Sequence, residues 1–312
     1  MKDTNKLIII TGPTGIGKTT LSIELAKILD TEIISADSMQ IYKYMDIGTG
    51  KVTEEESQGI KHHLLDIVYP NEDYTVDDYK KDASSIVESI NLNKNIPIIV
   101  GGTGLYIESL IYKLNFNIAK PNQHLRDYYN NLSLKHGPGY LHNILSKVDP
   151  ISADRIHPNQ EVRIIRALEV FDQTSKPFSS YNDYNREYHD NLSFKYIVLN
   201  RDREELYERI NKRIDIMLSN GLVDEVKDLL DKGYSKDLTS MQGIGYKEIV
   251  SYIENELNYD EAVDLLKRNS RRYAKRQLTW FRREPSKIIL DIERNDNLDA
   301  IINKCLKMIK GD

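Results

Sequence analysis

The sequence predicts an α/β fold in which a parallel sheet is flanked by helices and interrupted by a helical insertion. Three observations carry that prediction. Short apolar runs at 7–10, 32–36, 96–100 and 194–199 lack polar alternation, as strands buried on both faces do. Helical spacing follows these runs, as the crossover between parallel strands requires. Between 120 and 192 the alternation stops and helical spacing continues alone. The first run ends in Gly12-Pro13-Thr14-Gly15-Ile16-Gly17-Lys18-Thr19, which fits G-x-x-x-x-G-K-[ST] between a strand and a helix. That context makes the sheet P-loop NTPase-like and the loop a phosphate cradle. Its glycines let backbone amides turn inward, Lys18 supplies a point charge, and Thr19 can hold Mg²⁺. The loop alone does not say whether the phosphate belongs to a nucleoside triphosphate or to another pyrophosphate ester.

The helix expected over 20–29 places Leu21, Leu25, Ile28 and Leu29 on the face turned to the sheet. The strand at 32–36 delivers Asp37 and Ser38 at its carboxyl end, the edge at which open parallel sheets bind ligands. Asp37 can therefore reach a group beside the cradled phosphate, or cap whatever follows. The polar connection over 39–51, which opens with Met39 and Gln40, reads as surface or substrate-facing. A short strand is expected over 64–68 and a helix over 76–91, through Val76, Tyr79, Ala83, Ile86, Val87 and Ile90. The strand at 96–100 ends in Gly101-Gly102-Thr103-Gly104-Leu105-Tyr106. Those residues make either a second backbone approach to the ligand, with Thr103 pointing into the site, or a tight strand-to-helix turn.

Within the insertion, helices are expected over 123–136, 139–147, 151–156 and 160–173. The domains are thus 1–119 with 193–312, and 120–192. Arg163 and Arg166 fall on one helical face. After the strand at 194–199, one long helix over 204–232 carries Arg209 and Arg213, and can return Arg213 to the phosphates. Met241-Gln242-Gly243-Ile244-Gly245-Tyr246-Lys247 reads as a flexible, amide-bearing turn ahead of another helix.

At 312 residues, with 40% hydrophobic and 29% charged content, the chain can bury a sizeable core. It has no apolar run long enough for a membrane span. The polar start from Met1 implies a cytoplasmic protein, and a monomer is expected. A single cysteine, Cys305, excludes an internal disulfide and a multi-cysteine zinc site. The net charge is −5, yet 267–283 holds eight Lys or Arg and no acid, which leaves the remainder at −13. Tyr273, Trp280 and Phe281 interleave with those bases, the footprint of a polyphosphate partner, most simply a nucleic acid.

Several further stretches are distinctive together with the phosphate loop. They are Ile34-Ser35-Ala36-Asp37-Ser38-Met39-Gln40-Ile41-Tyr42, Met45-Asp46-Ile47-Gly48-Thr49, Gly101 to Tyr106, Arg155-Ile156-His157-Pro158-Asn159, Gly243-Ile244-Gly245-Tyr246, and Lys275-Arg276-Gln277-Leu278-Thr279-Trp280-Phe281-Arg282. On these the chain resembles the bacterial tRNA dimethylallyltransferases, the tRNA isopentenyltransferase family, over nearly its whole length. The resemblance implies transfer of a dimethylallyl group from dimethylallyl pyrophosphate to N6 of the adenosine 3′-adjacent to the anticodon, with Mg²⁺ as cofactor. It implies that Gly12 to Thr19 hold the pyrophosphate, that Asp37 is the general base, and that Lys18, Thr19, Thr103 and Arg213 assist.

The anticodon stem-loop of tRNA would meet Asp37, Ser38, Met39, Gln40, Thr103, Arg126, Gln160, Arg163, Arg166, Gln242, Gly243, Gly245, Lys247, Arg271, Arg272, Lys275, Arg276 and Arg282. Gly50 stands where the family commonly has Ala, a departure expected to be harmless, and the zinc-finger tail of eukaryotic relatives is absent. Two other functions fit the loop: a small-molecule kinase in which Asp37 activates a hydroxyl, and an RNA-binding protein switched by a nucleotide. The basic strip speaks against the first, and Asp37 beside the cradle against the second.

Overall fold

The architecture comes from a computed structural model that describes residues 5–114, 118–181 and 187–311. The polar start at 1–4 lies outside the described residues. Strand β1 (Asn5–Thr11) is the centre of the sheet. Ile8, Ile9 and Ile10 pair with Ile98, Ile99 and Val100 of β4 (Ile98–Gly101) on one side. On the other they pair with Lys195, Tyr196 and Ile197 of β5 (Leu192–Arg201). With both edges paired and both faces covered, the run has no solvent-facing side, which is why it carries no polar alternation.

Helix α1 (Lys18–Leu29) follows β1, and β2 (Ile33–Ser35) pairs with β4. The short α2 (Glu54–Ser57), β3 (His62–His63), α3 (Val76–Leu92) and α4 (Gly104–Ile111) complete the first half. A second group of helices comprises α5 (Gln123–His136), α6 (Tyr140–Val148), α7 (Pro150–Arg155) and α8 (Glu161–Thr174). The chain then returns through β5 to α9 (Arg203–Ser219), α10 (Leu222–Asp231), α11 (Tyr246–Ile253), α12 (Tyr259–Phe281), β6 (Lys287–Ile292) and α13 (Leu298–Lys310).

Among the described residues the sheet has six strands in the order β3-β2-β4-β1-β5-β6, and every pairing is parallel. This is a P-loop NTPase-like α/β fold. Parallel strands put all their carboxyl ends on one edge, so the turns after β1, β4 and β2 emerge side by side. Sheet order thus brings Gly12, Gly102 and Asp37 to one place before any side chain is considered.

The chain divides into two compact units, Met1–Ile111 with Asp190–Asp312, and Tyr112–His189. The second unit has its own core of Tyr129, Leu141, Leu145, Ile164 and Leu168. It starts earlier than the helical spacing indicates, because Tyr112 and Tyr188 form an antiparallel bridge and stack at 4.9 Å. No helix of the described residues is long and apolar enough to cross a membrane. Cys305 is a buried core residue whose thiol is pushed up to about 12 by burial.

Three details differ from the sequence expectation. The strand expected over 64–68 lies earlier, at His62–His63. Leu64 (φ 61°) and Asp66 (φ 54°) are left-handed, which ends extended backbone there. The helix expected over 204–232 is two helices, broken at Gly221 (φ 97°). Buried Leu206, Ile210, Ile214, Leu222, Val226 and Leu229 continue the spacing through the break, so periodicity alone conceals it. Ile28 is 55% exposed, because the buried arc of α1 is Leu21, Ser22, Ile23, Leu25 and Ala26.

Candidate active site

The turn after β1 ends at Gly17, the N-cap of α1, so the first amides of that helix have no intrahelical partner. Ile16 is 1% exposed and anchors the turn in the core. Lys18 Nζ donates to the carbonyls of Gly12 (2.9 Å) and Pro13 (3.0 Å), which lays the ammonium across its own loop. Thr19 is exposed at the start of the helix.

From α9, Arg209 Nε donates to the Gly15 carbonyl at 3.1 Å. Arg213 donates from Nη1 to Thr14 Oγ1 at 3.3 Å and from Nη2 to the Thr49 carbonyl at 3.2 Å. A Cβ at Gly50 (φ +59°) would come within 1.9 Å of Arg213 Nη2, so the guanidinium occupies the space that a methyl would need. These residues surround a cavity of about 460 Å³. Burial, reinforced by the Arg213 charge and opposed by Asp37, pushes the Lys18 ammonium down to about 8. Two cations crowd one small cradle, and a polyanion placed between them would relieve both.

A second cavity, of about 390 Å³, shares Thr14, Asp37, Thr49, Arg213 and Tyr273 with the first. Its other walls include apolar Met39, Ile210, Ile214, Met217, Leu222 and Leu266. Asp37 Oδ1 accepts the Met39 amide at 2.9 Å while the residue fronts both cavities. The capping and ligand-facing roles of Asp37 are thus compatible. The Thr103 hydroxyl accepts the Ser38 amide at 2.9 Å and donates to Ser38 Oγ at 3.2 Å. Its hydroxyl therefore steadies the Asp37-Ser38 turn, and Ser38 and Met39 form the wall of the cavity. Gln40 accepts from Ser35 Oγ at 3.2 Å and donates to the Gly50 carbonyl at 3.2 Å, joining β2 to the loop beneath Arg213.

The sequence pattern of the IPP transferase family matches residues 40–284. The chain belongs to the IPP transferase family. It is similar to the tRNA dimethylallyltransferase of Clostridioides difficile (strain 630), with 50% identity over 306 residues, 97% of either chain. Among solved structures it is similar to the full-length tRNA isopentenylpyrophosphate transferase of Bacillus halodurans, with 41% identity and a TM-score of 0.72 over 98% of this chain and 97% of that one. It is also similar to a eukaryotic dimethylallyltransferase described as acting on tRNA, with 29% identity and a TM-score of 0.81 over 99% of this chain and 79% of that one.

In this IPP transferase, α12 buries Ala262, Leu266, Ser270, Ala274, Gln277 and Phe281 and exposes Arg272, Lys275 and Arg276, with Arg282 exposed just past its end. Arg271 turns aside, donating from Nη1 to Asn211 Oδ1 at 2.7 Å, and Lys267 pairs with Asp215 at 2.6 Å. Both brace α12 against α9. Gln242, Gly243, Gly245, Lys247 and Arg276 line the second cavity.

In the helical unit the expected arginine face divides. Arg163 and Gln160 are exposed, whereas Arg166 (2.5 Å) and Arg126 (3.0 Å) both bind the wholly buried carboxylate of Glu169. Burial would raise the Glu169 carboxyl, but the Asn122 amide, Arg166 and Arg126 together hold it below the ordinary range.

The sequence offered no sign of Glu225. From α10 its carboxylate accepts the amides of Asp46, Ile47 and Gly48 at 2.9, 2.7 and 3.0 Å and the Tyr246 hydroxyl at 2.7 Å. It thereby fixes the loop whose Thr49 carbonyl anchors Arg213. Three of its four partners are backbone amides, which leave no residue signature. Tyr273 stands between the two cavities, although it reads in sequence only as an aromatic among bases.

Proposed function

We propose that this IPP transferase moves the dimethylallyl group of dimethylallyl pyrophosphate to N6 of the adenosine 3′-adjacent to the anticodon in tRNA. The observation that carries the proposal is that Asp37 lines both the cavity at the phosphate cradle and the neighbouring cavity, which shares Thr14, Thr49 and Arg213 with it and has partly apolar walls. The pyrophosphate would lie in the cradle, with Lys18 released from the Gly12 and Pro13 carbonyls to meet it. As the bond from the allylic carbon to the pyrophosphate oxygen breaks, Lys18, Arg213 and the amides at the start of α1 neutralise the charge that develops on the leaving group. The allylic carbon forms its new bond to N6, and the N6 proton passes to Asp37. Met39, Ile214, Met217 and Leu222 would take the hydrocarbon and exclude water from the cationic carbon.

Among the described residues no group of three His, Cys, Asp or Glu could hold a metal ion. Thr19 does offer one hard oxygen at the cradle, which fits an Mg²⁺ held chiefly by the donor's own phosphates. When bound, that ion supplies further neutralisation of the leaving group.

The adenosine must leave its stack to reach Asp37, which costs little in an anticodon loop because its bases are already unpaired. The turn at Gln242 to Lys247 would face the RNA bases. Arg272, Lys275, Arg276 and Arg282, with Arg163 of the helical unit, would each take phosphates. Arg126 and Arg166 have a sufficient structural partner in Glu169. We read the protein as a monomer acting where tRNA is, in the cytoplasm.

The test is incubation of purified protein and Mg²⁺ with radiolabelled dimethylallyl pyrophosphate and unmodified tRNA, followed by counting label in acid-precipitated RNA. Wild type should incorporate label, and Asp37→Ala should be slower by roughly 10²- to 10⁴-fold while still binding tRNA. No incorporation, together with RNA-independent consumption of ATP, would replace this function with a kinase.

A further inference from the structure

Gln277 faces inward on α12, only 6% exposed, at a point where two turns of the site meet. Its Oε1 accepts the amide of Thr14, within the phosphate loop, at 2.9 Å. Its Nε2 donates to the carbonyl of Gly102, in the turn after β4, at 3.0 Å. Each turn continues to a group that the proposed transfer uses. The Thr14 hydroxyl receives Arg213, and the residue after Gly102 is Thr103, whose hydroxyl holds Ser38 next to Asp37. One primary amide therefore closes a chain of contacts from the leaving-group side of the site to the base.

The chemistry of the two ends selects this residue. Thr14 presents an N–H and Gly102 a carbonyl, so the bridging group must accept at one end and donate at the other. Glutamate only accepts, lysine only donates and methionine does neither with any strength. The amide orientation follows from the same network, since a flipped group would set donor against donor and carbonyl against carbonyl. The fit is close: a Cβ at Gly102 would lie 2.2 Å from Gln277 Nε2. The helix does not depend on this bridge for its place, because Lys267 with Asp215, Arg271 with Asn211, and buried Phe281 hold it independently.

We infer that Gln277 is a positioning residue for the transfer, a cross-brace between the pyrophosphate cradle and the turn after β4, whose Thr103 in turn holds the Asp37-Ser38 turn. The inference rests on the transferase function proposed above. A brace of this kind acts on the distance between reacting atoms and leaves the binding of either substrate nearly intact. Misplacement by about 1 Å at a reacting centre costs on the order of 10²-fold in rate.

Gln277→Met keeps the length of the side chain and removes both hydrogen bonds. Gln277→Glu keeps an acceptor for Thr14 and loses the donor to Gly102. In both variants kcat should fall roughly 10- to 100-fold, while KM for donor and for tRNA stays within about threefold of wild type. A residue that merely filled space would instead lower the melting temperature and leave kcat per folded molecule unchanged. If Gln277→Met melts below the assay temperature, Gln277→Glu carries the same test. Wild-type kcat in the folded variants, or a loss confined to KM for tRNA, would overturn the role. Wild type is run in the same assay, so its own failure to incorporate label would reject the transferase function, whereas normal wild-type incorporation with unaffected variants rejects the brace alone.

Discussion

Lys18 shows how the site is poised at the scale of one residue. Its ammonium is held down at about 8 by burial and by Arg213, against an ordinary value of 10.5. Below pH 8 the free protein carries this charge at a cost, which pyrophosphate between Lys18 and Arg213 would relieve. Above pH 8 the free lysine is neutral, and binding the anion must first recruit a proton. Donor affinity should therefore weaken by up to about tenfold per pH unit above 8, with proton uptake on binding measurable by calorimetry in buffers of different ionisation enthalpy. Lys18→Ala should lose that pH dependence along with the affinity. The sign for folding is opposite. Between pH 8 and 10.5 the unfolded chain binds more protons at this position than the folded one, so the lysine's penalty fades as pH rises. The glycine-rich pattern announces Lys18 and its helix N-terminus, and the helix after the strand at 194–199 is expected to return Arg213 to the phosphates. The burial that combines with Arg213 to shift Lys18 is decided by the fold.

Helix α12 shows the limit of reading a basic strip as one surface. Arg272, Lys275 and Arg276 are exposed, whereas Lys267 and Arg271 brace the helix through Asp215 and Asn211. Replacing Arg272, Lys275 and Arg276 together with Ala should weaken tRNA binding. It should also flatten the slope of log affinity against log salt by up to about 2 to 3, since each phosphate contact contributes roughly 0.7 to 0.9. An unchanged slope in a filter-binding titration would mean that these bases form only a solvated face. Arg271→Ala should act mainly through lost packing against α9. Charge density along the strip was legible from the sequence. Which bases are free was not, because acidic and amide partners on α9 are distant in sequence.

At the scale of the whole molecule, the helical unit has an apolar core of its own and, within it, buried carboxylates of which Glu169 binds two arginines. Glu169 accepts from Asn122, Arg126 and Arg166, all within that unit. Glu169→Ala would leave two partly exposed guanidinium groups and the Asn122 amide without their acceptor and should cost about 1 to 3 kcal/mol. The helical unit should then melt in a transition of its own, ahead of the sheet unit, with two steps visible in chemical denaturation where wild type shows fewer. A single unshifted transition would show that the cluster is not structural. Because the Glu169 carboxyl is held below its ordinary range, its contribution is present at neutral pH and lost as pH falls through the folded value.

What the sequence determined by itself was everything written in local periodicity and spacing. That includes the buried parallel strands, the phosphate loop between strand and helix, the placement of Asp37 at a carboxyl strand end, and the single basic strip. These follow from rules that act over a few residues, such as the period of a helix, the solvation of a strand face and the dipole at a helix N-terminus. The strand at His62–His63, the break at Gly221 and the exposure of Ile28 required more. Left-handed backbone and a buried arc wider than one stripe are settled by packing, which periodicity does not encode. Only the tertiary structure decided that Arg126 and Arg166 serve Glu169, that Glu225 holds three consecutive amides, and that Gln277 joins two turns. Hydrogen bonds between groups far apart in sequence obey geometry in space, and geometry in space exists only once the sheet has brought its strand ends together.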